Sequence, residues 1–196
     1  MQNIGIIENN GVRILRPWEF AAVREEAARG DKERALQLDA LTFTGMRYIE
    51  MERFHAHPEW FNGGYLIHLP KEAIKKVKIK QRSRYVRLNE LGRKAVIKFL
   101  AGGQLPGRKG WDGLMRAWGR RAGIGEEAMC SKTTRKTWES WLVYFDRKGK
   151  NWPFIMSSQG HTSETSLGHY ATFPFVGKDQ VEMAPYVRGW PEDSMR

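Results

Sequence analysis

The sequence predicts a mixed, mainly α fold carrying a small three-stranded antiparallel sheet, and three observations lead there. Apolar residues recur at helical spacing from 17 to 54 and again from 89 onward. Between them "YLIHLP", "KKVKIKQ" and "SRYVRL" alternate with the period of two that strands require. The strands sit together in the chain and are not interleaved with crossover helices, which excludes a doubly wound nucleotide-binding fold. The glycine motifs agree: "GIGEE" is not GxGxxG, and no GxxxxGK[ST] occurs.

Residues 1–15 read as a loose lead-in. "RPWEFAAVREEAARG" is a helix with Pro17 in its first turn and Gly30 as its stop. "DKERALQLDALTFTG" follows, with Asp31 as cap, Ala35, Leu38 and Leu41 on one face, and Gly45 as breaker. "MRYIEMERF" is a third helical piece, ended by the loop signals "HPEW" and "NGG". In the sheet, Lys80 to Ser83 mark the tip of a short hairpin. Asn89 caps the next helix and Gly102 ends it; helices are then expected over 111–122, 132–145, 153–158 and 163–172. "GKDQVEMAPYVRGW" is a kinked or short tail helix, because Pro185 interrupts it.

The chain's 196 residues suffice for one domain with a real core, and its eight tryptophans argue against disorder. Thirty-three Lys and Arg against 22 Asp and Glu leave a net charge of +11, which favours a polyanionic partner, nucleic acid before membrane. Every apolar run is shorter than the roughly 18 residues of a spanning helix, and the N-terminus lacks the pattern of a signal peptide. The lone Cys130 allows no internal disulfide, so the expectation is an intracellular, cytoplasmic protein.

Several residue groups could carry chemistry. Segment 71–87 holds eight basic residues and one acidic residue; alternation puts several of the cations on one face and Val77, Ile79 and Val86 on the other. That is a phosphate-facing surface or, more plainly, an edge strand protected by lysines. In "SKTTRKTWESWLVYF", Lys132 and Arg135 project from one side of a helix, where they can meet one anion or form an exposed basic turn. In "TGMRYIE", Glu50 lies one turn after Arg47, either orienting its guanidinium or forming a surface ion pair. His55, His57 and His68 lack a carboxylate pattern and read as surface or satisfied histidines, and no neighbour marks a base for Cys130. Tyr170 follows His161 by nine residues, about 900° of helix, so the two share a site only if the chain turns between them. Thr162, Ser163 and Thr165 are candidate caps for a helix that begins after that turn.

Taken together, Arg47 in "TGMRYIE", a lysine in the basic hairpin, "KTTR" and "GHTSETSLGHY" resemble the catalytic domain of the tyrosine recombinases, or phage-type integrases, from about Pro17 to Tyr170. The resemblance implies that residues 17–172 form that catalytic domain, after a lead-in over 1–16 and before a tail over 173–196 suited to subunit contact. It implies that Arg47 and Arg135 are the paired arginines, Glu50 the acid supporting the first, His161 the last donor and Tyr170 the nucleophile. The expected hairpin position falls on Ile79, so Lys80 is taken, with Lys78 in reserve. Lys132 stands where most members have histidine; lysine there resembles integrases of archaeal viruses and plasmids, and type IB topoisomerases. Members carry an N-terminal DNA-clamping domain, whereas only about 16 residues precede the first helix here, so the chain reads as a catalytic domain alone.

The chemistry asks for such a set. A tyrosine hydroxyl is a weak nucleophile at neutral pH, so cations must surround the phosphate and stabilise charge as attack proceeds. The resemblance implies a 3′-phosphotyrosine intermediate on double-stranded DNA, strand exchange in a homotetramer and no cofactor, hence activity in chelator. The rival expectations are type IB topoisomerase-like relaxation and a noncatalytic DNA-binding module.

Overall fold

The structure is a computed structural model that describes residues 5–73, 83–146, 149–161 and 175–190 of the chain. Its described elements are strands β1 (Ile7–Asn9) and β2 (Val12–Ile14), helices α1 (Pro17–Gly30), α2 (Lys32–Thr44) and α3 (Tyr48–Ala56), strands β3 (Leu66–Leu69) and β4 (Arg84–Arg87), then α4 (Glu90–Leu100), α5 (Arg108–Arg121), α6 (Thr133–Phe145), α7 (Trp152–Gln159) and α8 (Gly177–Val187). Single 3-10 turns at Pro58–Trp60 and Lys71–Ala73 flank β3. The fold is mainly helical, with small antiparallel sheets. No helix among the described residues is long and apolar enough to cross a membrane.

Local chemistry explains most boundaries. Pro17 opens α1, and Glu19 reaches back to accept from the Arg16 backbone N–H at 2.7 Å. Asp31 caps α2 by accepting from the Glu33 N–H at 2.9 Å, and Gly45 ends it in the left-handed region at φ 61°. Asn89 caps α4 through the Gly92 N–H. Helix α5 starts three residues earlier than expected, at Arg108. Pro185 falls in the last turn of α8.

One expectation needs correction. The loose lead-in is instead a hairpin: β1 pairs with β2, and Asn10 (φ 50°) and Gly11 (φ 67°) form the two-residue turn. Its inward residues Ile7, Val12 and Ile14 are buried. Arg13 N–H donates to Ala128 O, Leu15 N–H to Thr137 Oγ1 and the Trp141 indole to Leu15 O, which fastens this segment to α6 and the turn before it. Of the expected three-stranded sheet only the first and last strands fall among the described residues, which hold two two-stranded sheets. Strand β3 pairs directly with β4, with Ile67 opposite Val86 and His68 opposite Tyr85. The expected strand over 75–81, most of the Lys80–Ser83 turn and the helix over 163–172 lie outside the described residues.

The core forms around α2, which packs on α1, α4 and α6. Phe20 meets Phe43, Trp141 and Tyr186 edge-on, and Phe43 meets Trp138 edge-on. Each such pair adds about 0.5–1.5 kcal/mol beyond burial of its area. Helix α8 closes one side, burying Met183 and Val187 against α1 and α6. Its first turn is anchored by an ion pair between Arg16 and Asp179, both buried. Around this core α3, α5, α6 and the turn after α7 line one cleft.

Candidate active site

The site begins at the break between α2 and α3. At Gly45 the chain turns through a conformation that disfavours side chains, and a Cβ there would lie 2.5 Å from Gln159 Oε1. That turn puts Arg47 at the N-cap of α3, where Glu50 bonds it twice: Oε2 accepts from the Arg47 backbone N–H and Oε1 from Nη1, both at 2.8 Å. Glu50 is fully buried, so the pair is not a surface ion pair.

A second guanidinium meets Glu50 from β4. Arg84 Nη1 and Nη2 donate to Oε1 and Oε2 at 3.0 and 2.8 Å, so each carboxylate oxygen accepts twice. Burial works to raise the Glu50 pKa; the Arg84 hydrogen bonds and the charges of Arg84, Arg47 and Arg135 outweigh it and hold it down to about 2. Arg84 was absent from the sequence-derived candidates. Its signal was phase: it lies two residues from inward Val86 and shares that face, rather than a phosphate-facing one. Arg87, on the opposite phase, stacks its guanidinium 4.8 Å from the Phe154 ring.

Arg135 enters from the first turn of α6. Nη1 donates to Gly45 O at 2.7 Å and Nη2 to Gln159 O, which ties the α2–α3 break to the end of α7. Burial pulls its pKa down to about 10, the Glu139 and Glu50 charges pull upward and Arg47 and Arg84 pull downward, so it stays charged at neutral pH. Gly160, at φ 66°, then turns the chain so that His161 faces α6. His161 Nε2 lies 2.9 Å from Arg135 Nη2 and 3.1 Å from Glu139 Oε2. As a donor Nε2 serves Glu139; as an acceptor it serves Arg135. Glu139, also fully buried, was missed by sequence reasoning, although it sits one helical turn after Arg135.

Lys132 is exposed at the N-cap of α6. It lines, with Arg47, Arg135 and His161, a cleft of about 450 Å³ whose rim also carries Tyr48, Glu52, Arg108 and Lys136. Four of the six candidate residues are thus brought together from three separate parts of the chain. Lys80, its reserve Lys78 and Tyr170 lie outside the described residues.

The remaining candidates are dispersed. His55 Nε2 contacts Gly102 O at 3.0 Å, His57 pairs with Glu59 and stacks on Trp60, and His68 lies against Tyr85. Cys130 precedes α6 and its N–H donates to Thr133 Oγ1.

No protein-family model matches the chain, and no curated protein matches it in sequence. Solved structures match in fold. The crystal structure of XerA recombinase superposes with a TM-score of 0.59 at 20% identity, covering 89% of this chain and 63% of that one. The Tn1549 transposon integrase in complex with circular intermediate DNA gives 0.60 at 15% identity, covering 88% and 66%. The XerH site-specific recombinase bound to its difH substrate gives 0.54 at 20% identity, covering 85% and 51%. The chain therefore spans about half to two thirds of the length of these structures. Its fold is the one found in the catalytic domains of these tyrosine recombinases.

Proposed function

We propose that the chain is a site-specific DNA recombinase or integrase that breaks and rejoins strands through a 3′-phosphotyrosine intermediate, with Tyr170 as nucleophile. One observation carries the reading: Arg47, Lys132, Arg135 and His161 line a single cleft. The net charge of +11 and the fold shared with recombinases, two of them in structures that contain their DNA, support it.

In the reaction Tyr170 gives up its phenolic proton to solvent, its oxygen attacks the scissile phosphorus, the phosphorus–O5′ bond breaks, and O5′ leaves as a hydroxyl with a proton from Lys80, which solvent then restores. Arg47 and Arg135 bind the nonbridging oxygens, with Lys132 and His161 as further donors. The phosphodiester energy is kept in the tyrosyl link, and attack by another 5′ hydroxyl reverses the step. Strand exchange would join four copies on two duplexes inside the host cell. The tail over 173–196 would then contact a neighbour through the outer side of α8, where Val176 and Val181 are exposed.

Lysine at position 132 resembles integrases of archaeal viruses and plasmids, in keeping with this reading, and also type IB topoisomerases, which gives a second, topoisomerase-like reading some standing. Relaxation of a plasmid with no recombinant product would favour it. The test common to both uses a nicked suicide duplex. The unaltered chain is expected to form a covalent adduct with a free 5′ hydroxyl, and Tyr170→Phe none. Absence of adduct with the unaltered chain, or its persistence in the variant, overturns the assignment.

A further inference from the structure

We propose that Arg84 is a positioning residue of this cleft, holding Glu50 and the Gly160–His161 turn in fixed relation and leaving the charge of Arg47 available to the substrate phosphate. The inference rests on the recombinase reading above and adds a residue that never touches DNA.

The first argument is connectivity. Arg84 forks both oxygens of Glu50 on α3, and its Nε donates to Ser158 O at 3.0 Å on α7. Ser158 in turn accepts, through Oγ, from the Arg87 N–H at 3.0 Å, so β4 and α7 are joined twice. Two residues on, a Cβ at Gly160 would lie 3.0 Å from Arg84 Cδ. One side chain, only 7% exposed, therefore bonds the carboxylate that sets Arg47 and the last turn of α7, which leads into the turn that presents His161. In the sequence it follows Lys80 by four residues.

The second argument is charge. Arg47 and Glu50 alone form a neutral pair, whose pull on a phosphate is weak. With Arg84 on the same carboxylate the group keeps one net positive charge, and Arg47, with 29% of its side chain exposed, is the member that reaches the cleft. A buried carboxylate stripped of one partner turns more fully to the other, which would draw Arg47 inward. Arg84 acts on the phosphate through Arg47 and does not touch it.

The experiment measures the first-order rate of adduct formation on the suicide duplex at saturating protein, beside duplex affinity and thermal melting, for the unaltered chain, Arg84→Met and Arg84→Lys. All rates are taken well below the lowest melting temperature. Arg84→Met is expected to slow adduct formation by about 10- to 100-fold, the size found when a group that orients a primary contact is removed, with a much smaller loss of affinity from the one charge removed. Arg84→Lys keeps the charge without the fork and should fall between the two, and it carries the test if Arg84→Met does not fold. Wild-type rates in a folded variant, or rate and affinity falling in parallel, overturn the proposal. If the unaltered chain forms no adduct, the recombinase reading fails and this one falls with it, an outcome separate from a normal adduct that ignores Arg84.

Discussion

Glu50 supplies a test that needs no DNA. Its pKa is held at about 2 against an ordinary value of 4.5. At about 1.4 kcal/mol per pH unit, that gap corresponds to about 3 kcal/mol of folding stability at neutral pH. Because the folded-state value is the lower one, the contribution is fully present above pH 4.5 and is lost as pH falls toward about 2. Glu50→Gln removes the charge while keeping the shape. The amide can accept on one side only and presents N–H groups to a guanidinium on the other, so the variant should be about 3–5 kcal/mol less stable at neutral pH, the usual result of breaking a buried ion pair. Urea unfolding of both proteins, followed by tryptophan fluorescence in steps from pH 7 to pH 2, isolates the effect. Other titrating groups act equally in both chains and cancel in the difference. The gap should narrow by about 3 kcal/mol between pH 5 and pH 2. A gap that stays constant over that range would refute the reasoning, because Glu50 would then not carry its charge against burial.

Further outcomes follow from the same contacts. Arg135→Ala should slow adduct formation by about 10³- to 10⁵-fold, the range found for arginines that stabilise a phosphoryl transition state. Arg135→Lys should recover only part of it, since one ammonium cannot hold Gly45 O and Gln159 O together and still meet a phosphate; single-turnover cleavage reads both. Arg16→Met strands Asp179 and should lower stability by about 3–5 kcal/mol in urea unfolding. Adding Asp179→Asn should restore part of that loss, because the amide oxygen can still accept the Val176 N–H that starts α8.

How much was legible in the sequence depends on how local each signal was. Helices α1, α2 and α4 were readable because Pro17, Asp31, Asn89 and Gly45 act within a few residues of themselves. The β1–β2 hairpin was equally local, since Asn10–Gly11 is a strong turn signal, but three-residue strands leave too short an alternation to notice. Arg84 and Glu139 were hidden for another reason. Binary patterning assigns charged side chains to the surface, and both are buried. Only distant partners make their burial tolerable, and those partners come from other elements: Glu50 and Ser158 for Arg84, the post-α7 turn for Glu139. Arg47, Lys132, Arg135 and His161 could be picked out individually, but their convergence in one cleft could not be read from spacing.

That convergence raises an electrostatic question which two buried carboxylates help to answer. Packing Arg47, Arg84 and Arg135 close together sets like charges against one another and removes them from water, and either effect alone opposes folding. Glu50 and Glu139 offset it from behind, each fully buried. With Lys132 at the mouth and Arg108, Lys136 and Glu52 on the rim, six cations stand against three carboxylates, an excess of three positive charges. A phosphodiester carries one negative charge, and attack by a phenolate brings a second to the same phosphorus. Under the proposed reading the positive excess of the cleft is therefore met more fully by the transition state than by the ground state. Binding that strengthens as the reaction proceeds is the kind that accelerates it. Removing either carboxylate would raise the positive excess and tighten ground-state DNA binding, while loosening the guanidinium groups that meet the developing charge.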